Sequence, residues 1–193
     1  VYKRQVEMNA QADGIRTDRD LAKAVVGRGE ERAFRELYRR HTPRLLGFVH
    51  RLLARSGADA EDVAQEAWVR ACENLQRFRW DSSFSTWLLG IGLNLVRERQ
   101  RSIERRKSES LDETQLAFAT TGATDERIDL ARAIELLPDG YRMALVLHDV
   151  AGMKHSEIAE RLGISSGTSK SQLFSARRAM RAMLAGSREV SHD

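Results

Sequence analysis

An all-α protein made of two small helical domains joined by a linker is the fold class that this 193-residue sequence predicts. Three observations predict it. Only 2 prolines and few runs of β-branched residues interrupt the chain, so little opposes a helical backbone. Apolar residues recur at helical spacing over long stretches. Between two such periodic halves lies Ser108 to Thr124, rich in Ser, Thr, Ala and acids and weakly periodic, which reads as a mobile interdomain linker. The expected organisation is an N-terminal tail over 1–17, a first domain over 18–107, a linker over 108–125, a second domain over 126–186 and a tail over 187–193.

Each element has a local reason. Thr17 or Asp18 caps a short first helix that runs to about Gly27. The second helix carries one broad apolar stripe of Ala33, Phe34, Leu37, Tyr38, Leu45, Leu46, Val49, Leu52 and Leu53; Pro43 is expected to kink or interrupt it, and Ser56-Gly57 to end it. Asp59 opens a third helix with Val63, Ala67, Val69, Ala71 and Leu75 as apolar positions. Phe78 to Ser83 is non-helical, and a fourth helix runs from about Phe84 to Arg106. The second domain is expected to hold helices near 125–136, 139–150, 155–162 and 166–185, with Leu137-Pro138 as a boundary because the residue before proline disfavours the α region.

Composition excludes several classes. With 41% apolar residues the chain can bury a core, so wholesale disorder is not expected. A single Cys72 forms no intramolecular disulfide and no multi-cysteine metal site, which fits a reducing cytoplasm. The longest apolar-looking run, Trp87 to Val96, falls well short of the roughly 20 residues that span a bilayer, so no direct membrane insertion is expected. Val1-Tyr2-Lys3-Arg4-Gln5 starts no apolar secretion segment. His41, His50, His148 and His155 have no HExxH-like spacing, and no glycine-rich phosphate loop is present. Cys72 has no obvious base partner, and Asp81-Ser82-Ser83 is not a nucleophile elbow. No catalytic residue, metal ligand, cofactor or small-molecule substrate is therefore expected.

The formal charge of +4 is a weak argument for an anionic partner, but its distribution is informative. Gly57 to Asn74 carries Asp59, Glu61, Asp62, Glu66 and Glu73 against Arg70. Arg97 to Lys107 is basic through Arg97, Arg99, Arg101, Arg105, Arg106 and Lys107. Ser108 to Glu126 is acidic without a base, and Ile164 to Ala185 holds Lys170, Arg177, Arg178 and Arg181 without an acid. The basic blocks suit phosphate contacts, because neutralising phosphates releases counterions; taken singly, each also suits a solvated helix face.

Ser156 to Leu162 reads as a helix that Gly163 ends in the left-handed region. Ile164 packs inward and Ser165 caps the next helix through the amide near Thr168. That helix puts Leu173, Ala176, Met180 and Met183 or Leu184 on an apolar side, leaving polar residues opposite. The pattern is a helix-turn-helix whose second helix suits a major groove.

The segment Asp62-Val63-Ala64-Gln65-Glu66-Ala67-Trp68, the loop ending Phe84-Ser85-Thr86-Trp87-Leu88, and Leu137-Pro138, Glu157-Ile158-Ala159, Leu162-Gly163-Ile164-Ser165 and Gly167-Thr168 together resemble regions 2 and 4 of the bacterial extracytoplasmic-function (ECF, group 4) RNA polymerase sigma factors. The resemblance covers about 18–106 and 126–185. It implies that the chain binds core RNA polymerase and promoter DNA, is not an enzyme, works in the cytoplasm, and is held by an anti-sigma factor that clamps or wedges between its domains. It assigns polymerase binding to Asp62, Gln65, Glu66 and Trp68, although Trp68 also suits core packing. It assigns reading and melting of the −10 element to Arg79, Trp80, Asp81, Ser82, Asn94, Arg97 and Arg101, with Arg99 on the same basic track. Phe84 and Trp87 suit the core better than a stacking platform. Trp80 stands where the family usually has glycine, either for base stacking or as an exposed loop residue. Binding of the −35 element falls to Ser165, Thr168, Lys170, Ser171, Gln172, Phe174, Arg177 and Arg178.

The chain departs from the family pattern at Ser169 and Gln172, where V-K-S-R is usual after Gly167-Thr168, at Ser175, which replaces a frequent base, and at Lys154, which is expected to break a capping box with Glu157. Gln172 reads adenine if it faces the groove. An autonomous helix-turn-helix regulator is the alternative; it leaves the acidic third helix and the aromatic loop unused.

Overall fold

The computed structural model describes residues 16–53, 58–109 and 130–189. Among them the elements are α1 (Asp18–Arg28), α2 (Glu31–Leu53), α3 (Ala60–Asn74), a 3-10 turn (Leu75–Arg77), α4 (Phe84–Glu109), α5 (Leu130–Glu135), α6 (Asp139–Leu145), a π-helical turn (Val146–Val150), α7 (His155–Leu162) and α8 (Ser166–Glu189). No strand occurs among the described residues, so the all-α expectation holds. The expected helix end at Ser56-Gly57, the linker beyond Glu109 and the start of a helix at 125–129 lie outside the described residues. The described residues form two compact units, one from 16–47 and 61–95 and the other from 48–53, 58–60, 96–109 and 130–189, so α2 and α4 each contribute to both.

In the first unit α1 is capped as its sequence expects. The Thr17 hydroxyl accepts from the Asp20 amide at 3.2 Å while the Asp20 carboxylate accepts from the Thr17 amide at 3.3 Å. Gly29 takes the left-handed conformation, φ 61°, and ends the helix. An ionic knot then ties α1 to α2. His41 donates to Asp18 at 3.0 Å, Arg40 donates to the Arg16 carbonyl at 2.9 Å and to Glu36 at 2.6 Å, and Arg16 pairs with Glu30 at 2.6 Å. Burial pushes the Asp18 carboxyl up, but hydrogen bonds and charge from His41 and Arg40 outweigh it and hold it below the usual range. Arg39 and Arg40 draw Glu36 down to about 2.

Pro43 does not interrupt α2, contrary to expectation; the helix is continuous from Glu31 to Leu53. Apolar packing on both sides of the proline explains this, since Leu37, Leu45, Phe48, Val49 and Leu52 are all nearly inaccessible to solvent. Each such side chain contributes about 1.5–3 kcal/mol, which together exceeds the ~3 kcal/mol that an interior proline costs. Two residues expected on apolar stripes are exposed, Tyr38 of α2 and Val69 of α3, whereas Val63, Ala64, Ala67, Trp68 and Ala71 form the buried side of α3. Ser83 begins α4, with its hydroxyl accepting from the Thr86 amide at 3.1 Å.

In the second unit α5, α6, α7 and α8 surround a core of Ala133, Ile134, Leu137, Ala144, Val146, Leu147, Met153, Ile158, Leu173, Ala176 and Met180. Arg142 is buried among them and donates to the carbonyls of Glu135 at 3.2 Å and Leu137 at 2.9 Å, so it closes the exposed end of α5. After α6 the chain widens into a π turn, in which the Ala151 amide reaches the Val146 carbonyl at 3.0 Å. Lys154 keeps half of the capping box it was expected to break. A lysine side chain has no acceptor, yet its amide still donates to Glu157 at 2.7 Å.

Pro43→Ala restores the missing amide donor inside a helix already held by packing. It should raise the stability of the chain by about 1–3 kcal/mol in thermal or denaturant unfolding; an unchanged or lowered midpoint would show that the proline sits without cost.

Candidate functional site

Three surfaces carry the sequence-expected functional residues. The first is α3. A helix turns about 100° per residue, so burial of Ala64, Ala67 and Ala71 turns Asp62, Gln65, Val69 and Glu73 outward together. Glu66 borders this face, half-exposed and paired with Arg70 at 2.7 Å. Trp68 does not share the face. Its side chain is only 4% exposed, lies edge-on to Phe34 at 5.7 Å and against Tyr38 at 5.1 Å, and donates to the Thr42 hydroxyl at 3.0 Å. Its role is to orient α3, because buried indole N–H groups and rings need partners that only one helix rotation supplies. Val69, 57% exposed, takes the apolar place on the outward face that the sequence reading gave to Trp68. Cys72 is exposed, and burial of its sulfur and the charge of Glu73 push the thiol up, the opposite of nucleophile activation.

The second surface is the loop after the 3-10 turn with the adjoining part of α4. Phe78 stacks on Trp87 at 4.6 Å with an interplanar angle of 14°, and the Trp80 ring lies 4.6 Å from that of Phe78. Trp80 has φ 65°, the one positive value at a non-glycine residue among the described residues. A glycine would meet this backbone demand without strain; this chain meets it with a tryptophan held by Phe78 and by the Arg19 guanidinium 5.9 Å from its ring. Arg79 and Asp81 are exposed and pair at 3.4 Å; Ser82 is half-buried. Beside them opens a cavity of about 300 Å³ lined by Arg70, Asn74, Arg77, Phe78, Trp87, Ile91 and Asn94. A stacked aromatic wall with amides and guanidiniums around it suits a flat heterocycle with a polar edge. Of these residues the sequence reading singled out only Asn94. Trp87, assigned to the core, is half-buried and lines the cavity instead. Further along α4, Arg101 is exposed, while Arg97 is half-buried and donates to the Arg161 carbonyl.

The third surface is the helix-turn-helix formed by α7 and α8. Gly163 has φ 69°, and the Ile164 amide closes the turn on the Ala159 carbonyl at 3.1 Å; Ile164 itself is half-buried. Ser165 caps α8, its hydroxyl 2.9 Å from the Thr168 amide and 2.9 Å from the Thr168 hydroxyl. Ser165, Thr168, Lys170, Ser171, Phe174, Arg177 and Arg178 are all exposed, and Phe174 is 65% exposed. Gln172 does not join them. It packs against Gly140 of α6, where any Cβ would stand 2.8 Å from its Nε2, and its Oε1 is buried without a partner. The expectation that Gln172 faces the groove is thereby overturned: at 100° per residue it lies beside Leu173 and Ala176 rather than with Lys170 and Phe174. Ser169, the other departure, is fully buried and shares a 3.0 Å hydrogen bond with His155 Nδ1. His155 stacks on His148 at 4.7 Å.

Trp80→Gly and Trp80→Ala both remove the ring, but only glycine relieves the positive φ. The glycine variant should therefore be the more stable of the two by about 1 kcal/mol in denaturant unfolding; equal stability would mean that the loop relaxes. A second expectation concerns pH. Burial, then the positive charges of His148, Lys170 and Arg177, push the His155 imidazole below its ordinary value, against the pull of Asp149. The unfolded chain then binds more protons than the native one below about pH 6.5, so stability should fall as pH is lowered through that value and hold above it. Melting at about pH 7.5 and about pH 5.5 checks this, and His155→Gln should reduce the difference.

Residues 37–107 match Sigma-70 region 2 and residues 127–180 match Sigma-70 region 4. The ECF RNA polymerase sigma factor SigM of Mycobacterium tuberculosis is 33% identical over 162 residues, covering 84% of this chain and 82% of that protein. The ECF RNA polymerase sigma-E factor of Escherichia coli is 32% identical over 179 residues, covering 85% and 92%. Among solved structures, CnrH in complex with the cytosolic domain of CnrY is 28% identical with a TM-score of 0.56, covering 88% of this chain and 97% of that one. The sigma factor RpoE in complex with the anti-sigma factor NepR from Bartonella quintana is 24% identical with a TM-score of 0.60, covering 79% and 96%, and supports the fold. With both sigma regions in order and relatives of this identity along most of its length, the chain belongs to the ECF RNA polymerase sigma factors, which act in transcription initiation rather than as enzymes.

Proposed function

We propose that this chain is a cytoplasmic group 4 sigma factor in which three surfaces divide the work. The outward face of α3, with Asp62, Gln65, Glu66 and Val69, docks on a basic surface of core RNA polymerase. Acidic side chains around one apolar residue suit such a partner, because complementary charge steers association while the buried apolar contact holds it. The cavity beside Phe78, Trp87 and Asn94 accepts one unstacked base of the −10 element, while Arg79, Trp80, Asp81 and Ser82 of the adjoining loop and Arg97, Arg99 and Arg101 of α4 contact the separated strand. The exposed side of α8 binds the −35 duplex through Ser165, Thr168, Lys170, Ser171, Phe174, Arg177 and Arg178. An anti-sigma factor holds the chain inactive, in the way the solved sigma factor RpoE is bound by the anti-sigma factor NepR.

The cavity carries this reading. A regulator that binds only duplex DNA has no use for an aromatic, amide-lined hole, whereas a factor that separates strands needs somewhere to place a base. The test is initiation from a promoter library by sigma-free core polymerase with the purified chain added. Promoter-dependent transcripts and a complex with core are expected. Asp62→Lys with Glu66→Lys should weaken core binding by at least about tenfold and leave −35 duplex binding unchanged. Duplex binding without any core dependence would instead favour an autonomous helix-turn-helix regulator.

A further inference from the structure

A carboxylate normally weakens DNA binding, yet Asp149 sits against the basic face of α8. The π turn explains how it gets there. One extra residue in the turn rotates the end of α6, so that His148 stacks on His155 of α7 and Asp149 reaches across to Arg177 of α8. Arg177 donates to Asp149 through Nη2 at 2.6 Å and through Nε at 3.1 Å. His148 Nδ1 donates to the same carboxylate at 2.7 Å. Hydrogen bonds and charge from Arg177 and His148 outweigh partial burial and hold the Asp149 carboxyl below its ordinary range, so it is ionised whenever DNA would be bound. The chain of contacts ends where it began, on α8, because His155 is bonded to the buried Ser169.

The pairing uses the side of the guanidinium. Its Nε and one Nη2 hydrogen face Asp149, which leaves the Nη1–Nη2 end as a second fork. Arg177 stands in the fourth turn of α8, well beyond the N-terminal residues that reach base edges in a docked recognition helix. A fork held at that place meets a backbone phosphate rather than a base.

We propose that Asp149 is a positioning residue for DNA binding: buttressed by His148, it holds Arg177 so that the free end of the guanidinium clamps one phosphate of the −35 duplex. This rests on the −35 reading of α8. The gain comes from order already present before binding, since an exposed arginine otherwise loses side-chain freedom on contact.

The experiment measures binding of the full chain to a −35 duplex and to an unrelated duplex over a salt series. Arg177→Ala should weaken both sequences alike and lower the slope of log affinity against log salt by about one. Asp149→Asn should weaken both several-fold, despite removing a negative charge, and add nothing in the Arg177→Ala background. Asp149→Glu should recover part of the loss, and His148→Phe should fall between wild type and Asp149→Asn. If Asp149→Asn melts early, Asp149→Glu and His148→Phe carry the same comparison. Unchanged or tighter binding by the Asp149 and His148 variants overturns the clamp, because simple charge removal predicts that direction. Loss confined to the −35 sequence also overturns it, in favour of base contact. No duplex binding by the wild-type chain overturns the −35 reading itself.

Discussion

The indole of Trp68 meets Phe34 and Tyr38 of α2 and Phe84 of α4, and its N–H is bonded to Thr42. Three helices of the first unit therefore meet on one side chain. Ring contacts of this kind add about 0.5–1.5 kcal/mol each beyond the area they bury. The consequence for function is angular. With Trp68 and the alanines of α3 fixed inward, the outward residues are fixed as well, and Asp62, Gln65 and Val69 form an exposed face. Phe84 extends the same cluster toward Phe78 and Trp80, at 6.4 Å from each ring. The outward face of α3 and the aromatic loop are thus seated on one core.

Most of the helices were legible in the sequence because capping and periodicity agree locally. The Thr17 cap, Ser165 with Thr168, and the left-handed Gly163 are decided by neighbours within a turn. The misses share a cause. Whether Pro43 breaks α2, and whether Val69 or Trp68 faces outward, depends on what other helices press against, which no local pattern contains. The π turn after α6 is a similar case: the sequence reading ran one regular helix to Val150, and only packing against α7 and α8 rewards the widened turn.

The candidate surfaces were legible as stretches but not as faces. Along α8 the resemblance to the family's helix-turn-helix puts Gln172 among the expected contacts, although it sits at the edge of the apolar stripe and turns to Gly140. Ser169 departs from the usual family pattern, and it is half of a buried polar pair with His155, a partner on the preceding helix. A buried hydroxyl without that imidazole would cost about 1–3 kcal/mol, so the two departures from an apolar interior are tolerable only together.

Charge counting shows the same limit most clearly. The stretch Ile164 to Ala185 contains four bases and no acid, which reads as an unopposed cationic face. In space the face is opposed, at Arg177, by a carboxylate contributed from 28 residues earlier in the chain. A bare sum treats that acid as lost affinity, because it lowers the local potential that attracts DNA. Geometry gives it the opposite sign. A guanidinium bonded on its Nε side keeps its charge, as the upward push on Arg177 shows, and gives up only its freedom to turn. An acid placed behind an arginine therefore costs long-range attraction that salt screens anyway, while it fixes a short-range contact that salt screens much less.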